Sequence, residues 1–259
     1  NPDSVTTGGK TFDQVRGGCF AILDRVDRKS ISFDALLEQI ARSYGPQELE
    51  RTRGLPDIHT TACIMEEILM ALEQVHTARD PEDPGVCGYY FGDLHGGNIY
   101  FSGTKLSDGV IGTARLMDFG SARELDGDGF TRMLRSDEVF SAPGIRPPEM
   151  LRSGCFRLGA DSDLYSAGCL MARCVLTETS LAGYGGQLYI EPGTFTQDEA
   201  DCIGCRPEQL PLLSEILEKA TAQDRSARYQ TAAQMLTQIR KLKQQTAPRH
   251  NRLGLELST

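Results

Sequence analysis

Apolar residues recur at helical spacing in several stretches of the chain. Ile64, Ile68, Leu72 and Val75 fall three or four positions apart while Glu66, Glu67 and Glu73 face elsewhere, which predicts a helix over about 58–78. Ser32, with Asp34 in the first turn and Leu36, Leu37 and Ile40 behind it, predicts a shorter capped helix that Gly45-Pro46 ends. Leu164 to Leu176 is apolar nearly all round, the mark of a helix buried inside a core. Leu213, Ile216, Leu217 and Ala220 give another helix. Thr231 with Gln234 three later reads as a capping box ahead of Met235, Leu236, Ile239 and Leu242. Strand-like runs are fewer. Cys19 to Leu23 is one, after a Gly- and Thr-rich start punctuated by Gly17-Gly18. Ile99-Tyr100-Phe101 and Ala114-Arg115-Leu116-Met117 read as a hairpin with a long connection. Residues 79–90 read as a polar loop. Residues 118–149 carry many Gly, Asp, Ser and Arg and no period, and loops of that length are commonly functional. The tail from Gln244 lacks a packing face. The expected fold is α+β, mostly helical with a few short hairpins.

Composition narrows the class. The 259 residues suffice for one large domain or two small ones, and 39% hydrophobic with 24% charged residues argues against wholesale disorder. Lys and Arg number 27 against 36 Asp and Glu, a net charge of −9, so no general nucleic-acid partner is expected. No apolar run approaches the roughly 18 residues of a membrane helix; even Gly168 to Leu176 is broken by Arg173. No signal peptide is read at the start. The eight cysteines are scattered through apolar patterns (Cys63, Cys169, Cys174), which suggests a reducing, cytoplasmic setting. Cys202-Ile203-Gly204-Cys205 has neither a second pair nor a nearby His, so two unpaired thiols are expected rather than a zinc site. The chain does not open on Met and is expected to be a piece of something longer.

Chemistry concentrates in two places. Phe91-Gly92-Asp93-Leu94-His95-Gly96-Gly97-Asn98-Ile99 puts a carboxylate, an imidazole and a carboxamide within six positions before a strand. Leu116-Met117-Asp118-Phe119-Gly120 puts a carboxylate just after one. Oxygen ligands on strand-flanking loops suit Mg²⁺, which takes one or two carboxylates plus substrate phosphates. Turn formation by Asp and Asn is the competing role for either segment alone.

The two segments in this order resemble the catalytic loop and metal-binding motif of the protein-kinase superfamily. Further segments resemble that family in order: Ser141 to Glu149 the end of an activation segment, Asp163-Leu164-Tyr165-Ser166-Ala167-Gly168 the start of the central helix, and Asp224 to Tyr229 the D-P-x-x-R-Y segment. Asn1 to Val5 is similar to the stretch after the regulatory helix of the small lobe, and Cys19 to Val26 to its last strand and hinge. The resemblance implies a kinase large lobe over residues 27–243, a small-lobe remnant over 1–26 and a polar tail over 244–259. The Gly-rich loop and strand lysine are then expected upstream, and the fragment alone is expected to be inactive.

The resemblance also implies roles. Asp93 would be the base, Asn98 and Asp118 would hold Mg²⁺ and the ATP phosphates, and Leu23, Asp24 and Val26 would contact adenine, Leu23 as gatekeeper. Asp163 would receive backbone N–H groups of the catalytic loop, and Glu149 would pair with Arg228. His76 would be a packing residue. Three departures stand out: the family's H-R-D reads Phe91-Gly92-Asp93, its lysine two residues later is His95, and its activation-segment threonine falls on Ala142. His95 would stand with Asp93 in the catalytic set, either as a neutral ring that holds Asp93 in place or as a cation that contributes to transfer. Asp93-Leu94-His95 is the wording of aminoglycoside and choline phosphotransferases, whereas the other motifs resemble protein kinases and favour a Ser/Thr protein substrate. A small-molecule phosphotransferase is the alternative, and a pseudokinase or scaffold lobe the third.

Overall fold

A computed structural model describes residues 29–138, 144–151, 153–177, 181, 190 and 195–247, together with the backbone of three strands nearer the start. Those strands, β1 (Ser4–Thr7), β2 (Lys10–Val15) and β3 (Cys19–Leu23), form an antiparallel sheet in sequence order. From the sequence only Cys19 to Leu23 is named as a strand here, and β1 and β2 are left without bounds. Their β-branched residues (Val5, Thr6, Thr7, Thr11, Val15) are the signal that the glycines obscured.

The next elements are β4 (Ile31–Ser32), α1 (Phe33–Ser43), α2 (Pro46–Thr52) and α3 (Ile58–Thr77). The Ser32 hydroxyl accepts from Ala35 N–H and caps α1. Gly45-Pro46 ends one helix but also starts another, because proline suits the first helical position, where its missing N–H is no loss. Asp57 caps α3 by accepting from Thr60 N–H at 2.9 Å. Three hairpin-like pairings follow. β6 (Ile99–Ser102) lies between β4 and β7 (Thr113–Leu116), with Ile99 opposite Leu116. β5 (Gly88–Tyr90) pairs with β8 (Arg123–Leu125), and β9 (Leu134–Arg135) with β10 (Cys155–Phe156). The stretches expected as loops over 79–90 and 118–149 thus contain strands of two or three residues, too short to show a period in sequence.

The remaining helices are α4 (Ala160–Val175), α5 (Gln197–Cys202), α6 (Leu210–Ala220) and α7 (Ala232–Thr246). α4 is buried almost all round, its acidic first turn included. α3 packs against α4, α7, β5 and β7, so one core joins the helices to the β6–β7 hairpin. Gly168 in α4 faces the end of α6: an added Cβ would lie 2.7 Å from the Ala220 Cβ. A mid-helix glycine costs roughly 0.5–1 kcal/mol relative to alanine, and here it permits the close approach of the two helices. Thr231 accepts from Gln234 N–H, but the Gln234 carboxamide oxygen accepts from Gln230 N–H, one residue before the cap, so the box is not reciprocal. The reciprocal box stands at Thr196 and Glu199. Among the described residues no helix is long and apolar enough to cross a membrane.

Cys202, Ile203 and Cys205 are buried, and their turn docks on the start of α3 through Ile58 N–H and the Ile203 carbonyl, at 2.8 Å. Among the described residues no three His, Cys, Asp or Glu side chains are grouped to hold a metal. Burial pushes Cys169 and Cys174 up to about 12 and Cys205 to about 11, whereas Cys155 is exposed. Iodoacetamide at mildly alkaline pH should therefore modify Cys155 in the folded chain and reach Cys169 and Cys174 only after denaturation. Mass-spectrometric mapping checks this; native labelling of Cys169 at the rate of Cys155 would contradict the packing.

Candidate active site

Residues 91–98 connect β5 to β6. Phe91 and Leu94 are buried and anchor the connection from below, leaving the Asp93 and His95 side chains about a quarter and a third exposed, at 25% and 32%. A carboxylate so placed is held by the fold yet open to a reactant. The Asn98 side-chain amide donates to the Asp93 backbone carbonyl at 3.0 Å and to its Oδ2 at 3.2 Å, which orients that carboxylate. Gly97 N–H donates to His95 Nδ1 at 3.1 Å, so the ring proton belongs on Nε2, which lies 3.6 Å from Asp93 Oδ2.

The backbone of this loop is held from α4. Phe91 N–H donates to Asp163 Oδ2 at 2.8 Å and Gly92 N–H to Oδ1 at 3.0 Å. His76, in the last turn of α3, places Nε2 2.9 Å from the same Oδ2. Among the described residues its buried Nδ1 has no hydrogen-bond partner. Gly92 has φ +89°, and a Cβ there would lie 2.7 Å from the Ser121 carbonyl oxygen. The position that the family resemblance matches to arginine therefore suits only glycine in this backbone.

Asp118 follows β7. Because β6 and β7 are antiparallel, the start of one meets the end of the other, and Met117 N–H donates to the Asn98 carbonyl at 2.8 Å. The register thus brings Asn98 and Asp118 to one end of the hairpin. Asp118 has φ 59° and ψ 77°, a left-handed conformation that costs an L residue about 1–2 kcal/mol and is eased for aspartate by local hydrogen bonding. Here its Oδ1 accepts from Gly120 N–H at 3.1 Å. Phe119 meets Phe91 edge to face, with centroids 5.2 Å apart.

Glu149 and Arg228 form a bidentate pair at 3.0 and 2.9 Å, both buried, with the Ser162 hydroxyl donating to Glu149 at 2.7 Å. Burial alone would raise the Glu149 carboxyl. The hydrogen bonds and charge of Arg228, with the Ser162 hydroxyl, outweigh it and hold the carboxyl below its ordinary value. A second pair, Asp161 and Arg225, at 2.7 and 2.8 Å, adjoins the first. Sequence reasoning missed it, although Arg225 stands where the D-P-x-x-R-Y pattern has proline. Leu23 closes β3, while Asp24 and Val26, with Asn1 to Asp3 and Ser141 to Pro143, lie outside the described residues.

No family model matches the chain. Among curated proteins it is similar to a probable serine/threonine-protein kinase of Streptomyces coelicolor, 27% identical over 172 residues, which are 66% of this chain and 23% of the relative. A probable serine/threonine-protein kinase of Corynebacterium efficiens is 25% identical over 237 residues, 89% of this chain and 33% of its own. A third, from Bifidobacterium longum, is 31% identical over 147 residues, 57% of this chain and 20% of its own. The chain therefore spans about a fifth to a third of the length of these relatives. The similarities, at low identity, support a protein-kinase-like family and a kinase-like phosphotransferase.

Two outcomes follow from the anchors. Asp163→Asn turns an amide NH₂ or a single oxygen toward two N–H donors and should cost about 1–3 kcal/mol, read as a lower urea midpoint with faster amide exchange at Phe91 and Gly92. Wild-type exchange there would remove Asp163 as the anchor. For Glu149, the folded carboxyl is depressed, so its stabilisation is present above the unfolded value of about 4.3 and lost as pH falls through the lower folded value. Glu149→Gln should lower stability by about 3–5 kcal/mol and flatten that acid limb in urea titrations at successive pH values. An unchanged acid limb would contradict the pairing.

Proposed function

We propose that residues 27–243 are the larger, helical lobe of an ATP- and Mg²⁺-dependent phosphotransferase acting on Ser/Thr hydroxyls of proteins, with residues 1–26 supplying the last strands and hinge of a smaller lobe and 244–259 a tail. The observation that carries this reading is one loop, fastened at its backbone, that offers Asp93 to solvent beside Asn98 at the hairpin end from which Asp118 emerges. The relatives' names support the same class.

Asp93 accepts the proton of the attacking hydroxyl, and the Asn98 amide keeps its carboxylate aimed. A carboxylate from Asp118 and a carboxamide oxygen from Asn98 are hard donors, the set that Mg²⁺ accepts while keeping waters and phosphate oxygens. Mg²⁺, when bound, neutralises phosphate charge. His95 works through its neighbours: with Nδ1 occupied by Gly97 N–H, its Nε2–H faces the Asp93 carboxylate and steadies it. Leu23, Asp24 and Val26 would contact adenine, as the resemblance implies. The setting proposed is cytoplasmic.

Phosphate transfer from labelled ATP, measured on the protein as encoded in its whole reading frame, tests this. Asp93→Asn and Asp118→Asn should each reduce transfer to a protein acceptor by about 10²–10⁴-fold while the folded state persists, since asparagine tolerates the left-handed backbone at 118. Full transfer by a folded Asp118→Asn variant would sink the assignment. Transfer only to small hydroxylated acceptors would favour the small-molecule enzymes that Gly92-Asp93-Leu94-His95 resembles.

A further inference from the structure

The stretch after Asp118 carries a fastening that the phosphotransfer reading does not use. Asp126 closes a turn by accepting from Asp128 N–H at 3.0 Å and Phe130 N–H at 3.3 Å, and its other oxygen pairs with Arg157. Two guanidiniums stack on the Phe130 ring: Arg157 and Arg225 each lie 5.3 Å from its centroid. Their like charges are matched locally, Arg157 by Asp126 and Arg225 by a bidentate bond to Asp161 in the first turn of α4. Arg225 also donates to the Arg157 carbonyl at 2.6 Å, and Arg157 Nε to the Thr131 carbonyl at 2.8 Å.

The backbone follows the same course. Phe130 bridges Gly159, where an added Cβ would lie 3.1 Å from the ring. Thr131 is fully buried; its N–H donates to the Leu158 carbonyl at 2.8 Å and its hydroxyl accepts from Leu158 N–H at 3.0 Å. Further along, Leu134–Arg135 pairs with Cys155–Phe156, and Glu138 takes Arg132 at 2.6 Å and Arg135 N–H at 2.8 Å.

We infer that Phe130, under Arg157 and Arg225, is a latch that fastens residues 126–138 to the first turn of α4, so that this segment's position is intrinsic to the fold and requires no added charge. Every guanidinium in the latch already has a carboxylate. Gly92 supplies no side chain to receive an anion on the segment. A phosphate added here would compete with Asp126 and Asp161 for the same arginines and would loosen the latch.

Amide hydrogen exchange by mass spectrometry on the 259-residue chain tests the latch without any enzymatic readout, so its failure and that of the phosphotransferase reading are separable. In Phe130→Ala, peptides covering 129–136 and 154–159 should exchange about tenfold faster, the scale expected from losing two partly desolvated cation–π contacts, with α3 and the Asp163-bound amides of Phe91 and Gly92 unchanged. Phe130→Leu fills the space without a π face and should show a smaller acceleration in the same peptides. Wild-type exchange in Phe130→Ala overturns the latch, as does equal acceleration in α3, which would make Phe130 an ordinary core residue. Wild-type exchange in Phe130→Leu would assign the hold to apolar filling and overturn it as well.

Discussion

One buried carboxylate sets the position of the candidate site. Asp163 lies in the first turn of a helix with almost no solvent-facing side, where an unpaired charge would cost several kcal/mol. It is satisfied from two directions: by His76 from the end of α3 and by two consecutive N–H groups of the loop carrying Asp93. The helix N-terminus adds a favourable field. Neither the loop nor the helix end can shift without stranding a donor or the charge. A connection that leaves the Asp93 side chain a quarter exposed thus inherits the rigidity of a helix buried almost all round, so the carboxylate is held at a fixed angle.

The long elements were legible because their signal is local. The apolar rows of α3 and α7 and the all-round apolarity of α4 name those helices within a residue or a few. The β6–β7 hairpin was legible for the same reason, and with it the convergence of Asn98 and Asp118, which is a matter of register. What escaped was non-local or too short. β5 and β8 have three residues each and exist only through each other, and no period can be read over three positions. Gly45-Pro46 is legible as the stop of α1, whereas the start of α2, which proline also permits, has no capping side chain to mark it. Thr196 and Glu199 carry a capping-box signature that is readable in the sequence. The Asp161–Arg225 pair joins residues 64 positions apart, and only the displacement of proline by Arg225 hinted at it.

That pair changes how the charges under the segment balance. Glu149 and Asp161 face Arg225 and Arg228 at close range, two carboxylates against two guanidiniums. Arg228 is fully buried and also lies 4.9 Å from the Tyr165 ring centroid. Desolvating four charges offsets much of their mutual attraction, so the cluster contributes less to net stability than its hydrogen bonds suggest. Its main effect is geometric. Bidentate pairs tolerate little rotation, and they tie residues 148–151, the first turn of α4 and the turn before α7 into one arrangement.

Gly92 shows how backbone contact can displace electrostatics at such a site. Its left-handed φ and the 2.7 Å approach of the Ser121 carbonyl oxygen to where a Cβ would stand bring the Asp93 loop and the Asp118 segment together main chain to main chain. The edge-to-face pair of Phe91 and Phe119 closes the same junction from the core side. An arginine at 92 would have to push the Ser121 carbonyl away and would disturb the junction that sets the spacing of Asp93 and Asp118. The lack of a side chain at 92 and the tight seating of the two segments are therefore one structural choice. Once the loop is seated this way, the hold on the following segment has to come from elsewhere in the chain, and Arg157 and Arg225, each 5.3 Å from the Phe130 centroid, supply one such hold.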